Sequence, residues 1–144
     1  MSTQNYANHA RYVPGYQFVL SGVLLLTIIG SVVNFIVSLG NHERIYSASL
    51  IMVLSVCVFV TSFYARVFAL KAQDRAIRAE ENLRHFVMTG KLLDPRLSVL
   101  QIVALRFACD AEFVALAVRA ASESLDPKVI KQAVKTWRAD EYRV

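Results

Sequence analysis

The sequence predicts an all-α membrane protein. It is read as a two-helix transmembrane hairpin whose second helix extends into the cytoplasm, followed by a small bundle of about three short helices. Three observations carry this. The 144 residues are 56% hydrophobic, and the 16 Lys/Arg and 11 Asp/Glu are placed unevenly. None of those charges falls in residues 12–42 or 45–65, windows of 31 and 21 residues. A membrane-spanning helix needs roughly 20 apolar residues, so both windows qualify. The remainder has neither strand periodicity nor low complexity. An ordinary soluble domain does not fit this pattern. Neither does a catalytic domain of roughly 100–150 residues, because 79 residues follow the second window.

The first element is a polar segment, residues 1–12. A cleaved signal has a basic start, a short apolar core and a small-residue cleavage site. Here the start is polar, the apolar stretch is long, and a second one follows closely, so the expectation is a retained helix. Tyr6, Tyr12 and Tyr16 precede or open it, as in an interfacial aromatic belt. Contact of residues 5–9 with a lipid or a partner is the alternative.

The first span is read as 13–39, with Pro14 and Gly15 at its start and Gly40-Asn41 as a C-cap pair. Its antiparallel partner begins at Ile45. No breaker occurs before Gly90, so the second helix is expected to reach Thr89. At 1.5 Å per residue such a helix is roughly 67 Å long, about twice the hydrocarbon thickness. Its outer half carries Asp74 before Arg78 and Glu80 before Arg84, two i,i+4 pairs in the favourable order. The domain reading is therefore 1–12, 13–89 and 90–144.

In the tail, Asp94-Pro95 and Asp126-Pro127 each combine a good N-cap with proline at the first helical position. Asp110 is a third candidate cap. Helices are expected at about 95–108, 111–124 and 127–139. Their apolar residues recur at helical spacing: Leu97, Leu100, Ala104 and Phe107; Phe113, Leu116, Ala117 and Ala120; Ile130, Ala133, Val134 and Trp137.

Charge sets the expected orientation. Residues 1–44 carry a net +1 and residues 66–144 a net +4. Arg66, Lys71, Arg75, Arg78 and Arg84 follow the second span closely, where flanking cations count most. Both termini are expected in the cytoplasm, and 40–44 forms an outside turn. Cys57 and Cys109 are expected to be small buried thiols, not a disulfide.

Written in heptads, the second helix shows a small-residue seam: Ser55, Ser62, Ala65, Ala69, Ala72, Ala76 and Ala79. Ala48 extends it upward, Leu83 and Phe86 downward. Small residues let helix backbones approach closely in lipid. The first span has a matching stripe of Thr27, Ser31, Asn34 and Ser38. The two stripes are expected to face each other, with Asn34 turned inward because it is costly toward lipid. Beyond the first span the seam continues and needs a cover. A second subunit in a close-packed coiled coil is the preferred cover. The tail folding back is the alternative, and alanine's helix propensity alone is a third explanation.

Few groups suggest chemistry. His9, His42 and His85 lie on different segments without zinc-ligand spacing, and the five glycines are scattered. Asp110 and Glu112 lack a second pair of groups for acid–base work. No cofactor, metal or catalytic residue is expected, and no enzymatic activity. Residues 97–107 have the pattern that opens a helix-turn-helix. The next helix, however, begins Asp110-Ala111-Glu112, which phosphates repel, so no nucleic-acid partner is expected. Arg66, at the membrane edge, is expected to snorkel to the headgroups. Its alternative is a ring lining an anion-selective pore.

Four segments carry a resemblance that runs nearly end to end. They are Gln4-Asn5-Tyr6-Ala7-Asn8-His9, residues 66–81, Ala104-Leu105-Arg106-Phe107-Ala108 and Trp137-Arg138-Ala139-Asp140. Together they resemble an uncharacterised bacterial family of two-span membrane proteins, a domain of unknown function with a short helical tail. The resemblance implies a bacterial source and the same topology, and no activity. The expected function is a non-enzymatic scaffold of the bacterial inner membrane. Its partners are membrane lipids, further copies of itself, and another membrane or cytoplasmic protein. A small oligomeric channel or transport-accessory subunit is the alternative.

Overall fold

A computed structural model of the chain describes residues 4–8 and 13–140. His9, Arg11 and Tyr12 lie outside the described residues. With them go part of the expected interfacial segment and one tyrosine of its aromatic belt.

Among the described residues every regular element is helical. A π-helical turn at Gly15–Leu20 leads into α1 (Ser21–Val37). Then come α2 (His42–Thr89), α3 (Val99–Leu105), α4 (Asp110–Ser122) and α5 (Pro127–Ala133). The π-helical turn and α1 together (Gly15–Val37), and α2, are long and apolar enough to cross a membrane. Only 6% and 11% of their apolar windows are buried, whereas the core helix of a soluble protein would be mostly covered.

The chain forms two compact units, Tyr12–Ala69, and Leu70–Val144 with Met1–Arg11. The division falls inside α2.

In the first unit Gly40 takes a left-handed φ of +88°. Asn41 is not left-handed, and its amide donates to the carbonyl of Ser38, the C-cap residue of α1, at 3.1 Å. Its Oδ1 accepts from the Glu43 amide, so it caps α2, whose first turn begins three residues earlier than expected. Residues 42–89 contain neither Gly nor Pro, and α2 ends where Gly90 reverses the chain at φ +73°. There Thr89 Oγ1 donates to the His85 carbonyl, and His85 Nδ1 lies 2.7 Å from the Lys91 carbonyl.

In the second unit the core is Leu93, Leu97, Ile102, Ala104, Leu105, Phe113, Leu116, Ala120, Ile130 and their neighbours. Most residues of the predicted apolar stripes are there, but Leu100 is 60% exposed. Two caps differ from expectation. Asp94 does not start a helix; its Oδ1 folds back on the Arg96 amide in a turn. The helix begins later because Ser98 and Gln101 form a complete capping box. Asp110 is the first residue of α4, and Cys109 holds the cap position without a side-chain bond to the helix amides; its Sγ donates to Glu112 Oε1 at 3.7 Å. Asp126 behaves as expected, accepting from the Lys128 amide with Pro127 at the first position.

Helices α3 and α5 end three and six residues early for one reason. Ala108 and Trp137 form a backbone bridge, flanked by Arg138 N to Phe107 O at 2.8 Å and Cys109 N to Thr136 O at 3.2 Å. The Glu112 carboxylate also takes the amides of Lys135 and Thr136. Both cysteines are free, but neither is fully buried: Cys57 is exposed and Cys109 half-buried.

Candidate functional site

Small and hydroxyl side chains bring α1 and α2 together in the first unit. Ser31 and Ser55 are both buried, with their Oγ atoms 2.9 Å apart. Ser38 and Ala48 are buried as well, and Tyr16 donates its hydroxyl proton to the Ser62 carbonyl. The α1 stripe that meets α2 is Leu24, Ile28, Ser31, Phe35 and Ser38, at alternating steps of four and three. Thr27 and Asn34 lie on its flank and are exposed. Asn34 is therefore not turned toward α2, and Thr27 spends its hydroxyl on the Val23 carbonyl. Of the α2 seam, Ser55 is buried, Ser62 and Ala69 half-buried, and Ala65 exposed.

In the second unit the seam is open. Ala72, Ala76 and Ala79 are exposed. So are Leu83 at 62%, Phe86 at 50% and Val87 at 76%. The tail does fold back on α2, but it covers the opposite side. Ile77, Glu81 and His85 are buried at steps of four. At 3.6 residues per turn they centre about 180° from the seam.

The covered face is fastened by charge. Arg84 donates through Nη1 to Glu81 Oε2 at 2.9 Å and through Nη2 to the Ala108 carbonyl at 2.8 Å. It also grips Asp110, with Nε to Oδ1 at 2.8 Å. Its guanidinium carbon lies 4.2 Å from the Phe113 ring centroid, within cation–π range. The hydrogen bond from Arg84, reinforced by its charge, holds the Asp110 carboxyl below the usual carboxylate range. Among the described residues, no ion pair joins Asp74 to Arg78 or Glu80 to Arg84, contrary to the i,i+4 reading. An exposed pair of that kind is worth a few tenths of a kcal/mol, whereas the half-buried Arg84 makes several bonds at once.

The four segments singled out in the sequence meet here. Arg138 approaches Glu81 at 3.7 Å, Arg106 pairs with Asp140 at 3.1 Å, and the Asp140 amide donates to Gln4 Oε1 at 2.8 Å. Asn5 closes a turn by accepting from the Ala7 amide. Phe107 and Trp137 stack with centroids 4.8 Å apart. A cavity of about 450 Å³ opens beside this cluster, walled by Ile77, Glu80, Glu81, Arg106, Arg138 and Asp140, with Gln73 and the seam residue Ala76 at its edge. Sequence reasoning passed over Glu81, Arg106, Arg138 and Asp140 as single residues. Their only signal was that each sits in one of the four segments.

Chemically, the cluster is a fastening. Both Glu81 oxygens face arginines, and Arg106 and Asp140 neutralise each other. Among the described residues no three His, Cys, Asp or Glu side chains are grouped so as to hold a metal ion.

No curated protein and no solved structure matches the chain. The family of unknown function DUF6526 matches residues 1–144, and the chain belongs to that family.

Proposed function

We propose that the chain is a non-enzymatic integral scaffold of the bacterial inner membrane. In this reading α1 and α2 form a transmembrane hairpin, and subunits assemble along the open face of α2. The helical tail is then held in the cytoplasm for a partner. The observation that carries this is the division of labour on α2 within the second unit. One side, Ile77, Glu81 and His85, is taken by the chain's own tail. The other, Ala72, Ala76, Ala79, Leu83 and Phe86, is small near the membrane, apolar beyond it, and bare. Small residues allow close helix contact, and a contiguous exposed apolar patch marks an interaction surface. Propensity accounts for alanines but not for exposed Leu83, Phe86 and Val87.

Orientation follows from the cations after Ile45–Ala65, which favour a cytoplasmic C-terminus. Cysteine cross-linking in native membranes tests the assembly. Ala72→Cys and Ala76→Cys should give intersubunit disulfides, and Arg78→Cys, on another side of the helix, should not. Equal cross-linking at all three positions would refute the seam.

A second reading, a small oligomeric channel or transport-accessory subunit, has one observation in its favour. Asn34 is exposed and is not consumed by the contact between α1 and α2. An exposed polar side chain within a span is costly toward lipid, and a lumen or a neighbouring subunit would relieve it. Ion flux from reconstituted vesicles, altered by Asn34→Leu, would support this reading. Absence of flux from an assembled oligomer would refute it.

A further inference from the structure

The first unit holds a second constellation that helix packing does not require. The π-helical turn at Gly15–Leu20 lets both the amide and the hydroxyl of Ser21 reach the Tyr16 carbonyl. Such turns are rare and recur at functional sites. Tyr16 is fixed at its far end too. Its hydroxyl donates to the Ser62 carbonyl and accepts from Ser62 Oγ at 3.3 Å. One helical turn beyond Ser62, the Arg66 guanidinium carbon lies 5.8 Å from the Tyr16 ring centroid, at the edge of cation–π range.

Beside these groups is a shallow cavity of about 120 Å³, lined mostly by carbon. Leu24, Phe59 and Phe63 form its apolar wall, and Arg66 with Tyr16 and Ser62 its polar end. Arg66 is the first charged residue after 21 without charge. An arginine that merely snorkels needs no immobilised tyrosine and no aromatic wall. Here a permanent cation, an apolar groove and a fixed ring converge. The guanidinium fork matches a phosphate, and anionic lipids concentrate near membrane cations.

We propose that this groove binds an anionic phospholipid. The phosphate sits on Arg66, and the first part of one acyl chain lies against Leu24, Phe59 and Phe63. The inference rests on the membrane placement of the two spans, and the test separates the two claims.

Flotation of the full chain with lipid vesicles reads membrane insertion. Native mass spectrometry of the detergent-solubilised chain, titrated with phosphatidylglycerol or phosphatidylcholine, reads the groove. Losing a charge-assisted hydrogen bond to phosphate should weaken binding by about tenfold or more. Phosphatidylglycerol adducts should therefore exceed phosphatidylcholine adducts on the native chain, and Arg66→Gln should remove the excess. Leu24→Trp, which keeps the charge but fills the cavity, should remove it as well. Arg75→Gln, a cation outside the groove, should leave it unchanged. Glycerol phosphate should not compete.

Equal adduct levels for the two lipids would overturn the proposal. So would an undiminished preference in either groove variant, or displacement by glycerol phosphate. A chain that does not float would overturn the membrane reading with it. One that floats without lipid preference would overturn the groove alone.

Discussion

Arg84 ties α2 to the first turn of α4 by gripping Asp110 through both Nε and Nη2. The same guanidinium holds buried Glu81 and the Ala108 carbonyl, so one side chain fastens three pieces of the second unit. Replacing it leaves Glu81 in a largely buried position with Arg138 at 3.7 Å as its remaining partner. Arg84→Met should destabilise this unit by about 3 kcal/mol, as for other broken buried pairs. Hydrogen exchange should show faster exchange at the amides of α4, with α1 unaffected.

Acid should loosen two anchor points of this unit. The hydrogen bond from the Arg96 side chain, then that from the Arg96 amide, lower Asp94 to about 2. Asp110 is lowered by Arg84. An unfolded Asp titrates near 3.9. Since both folded values lie below that, the contribution is fully present above pH about 4 and is lost as pH falls through the folded values. Carboxyl chemical shifts should show Asp94 still ionised near pH 3. In Arg96→Ala the Asp94 titration should move up toward 3.9.

The start of α3 distinguishes two capping schemes. Ser98 Oγ accepts from the Gln101 amide, and Gln101 Oε1 accepts from the Ser98 amide at 2.7 Å. Ser98→Ala should therefore cost about 1 kcal/mol. Asp94→Ala should leave the exchange rates of the α3 amides unchanged. Thermal unfolding and amide exchange of the two variants would show it.

How much of this was visible in the sequence depended on the range of the force involved. The length of α2 was legible because nothing between His42 and Thr89 can break a helix and Gly90 can. Asp126-Pro127 was legible for the same local reason. At Asp94-Pro95 two local signals competed, and the capping box four residues on outweighed the proline. The early ends of α3 and α5 were not legible. The bridge between Ala108 and Trp137, and the capture of the Lys135 and Thr136 amides by Glu112, join residues more than twenty positions apart. Apolar spacing runs on through Phe107 and Trp137, past those ends, and carries no mark of where either helix stops. The seam was legible as a pattern. Its division into a part that meets α1 and a part left bare was not, because the face that the tail occupies is chosen by Glu81, Arg84 and Asp110 acting together.

Ser31 and Ser55 give a test of packing in the first unit. Their Oγ atoms lie 2.9 Å apart, and a hydrogen bond between helices in lipid averages about 0.6 kcal/mol. Ser31→Ala should cost little. Ser31→Leu places a branched side chain at a buried contact and should cost about 1–3 kcal/mol through overpacking. Unfolding midpoints in a detergent titration should rank native, Ser31→Ala and Ser31→Leu in that order.

The most direct test of self-assembly along α2 is the native mass of the full chain released from lipid nanodiscs, for the native sequence and for Ala76→Leu. Assembly along the bare face predicts dimers or larger species for the native chain. In the variant, where a longer side chain blocks backbone approach, it predicts a shift toward monomer, with helical content unchanged by circular dichroism. A native chain that is monomeric at every protein-to-lipid ratio would rule out assembly along the bare face of α2. So would an oligomer that Ala76→Leu leaves intact.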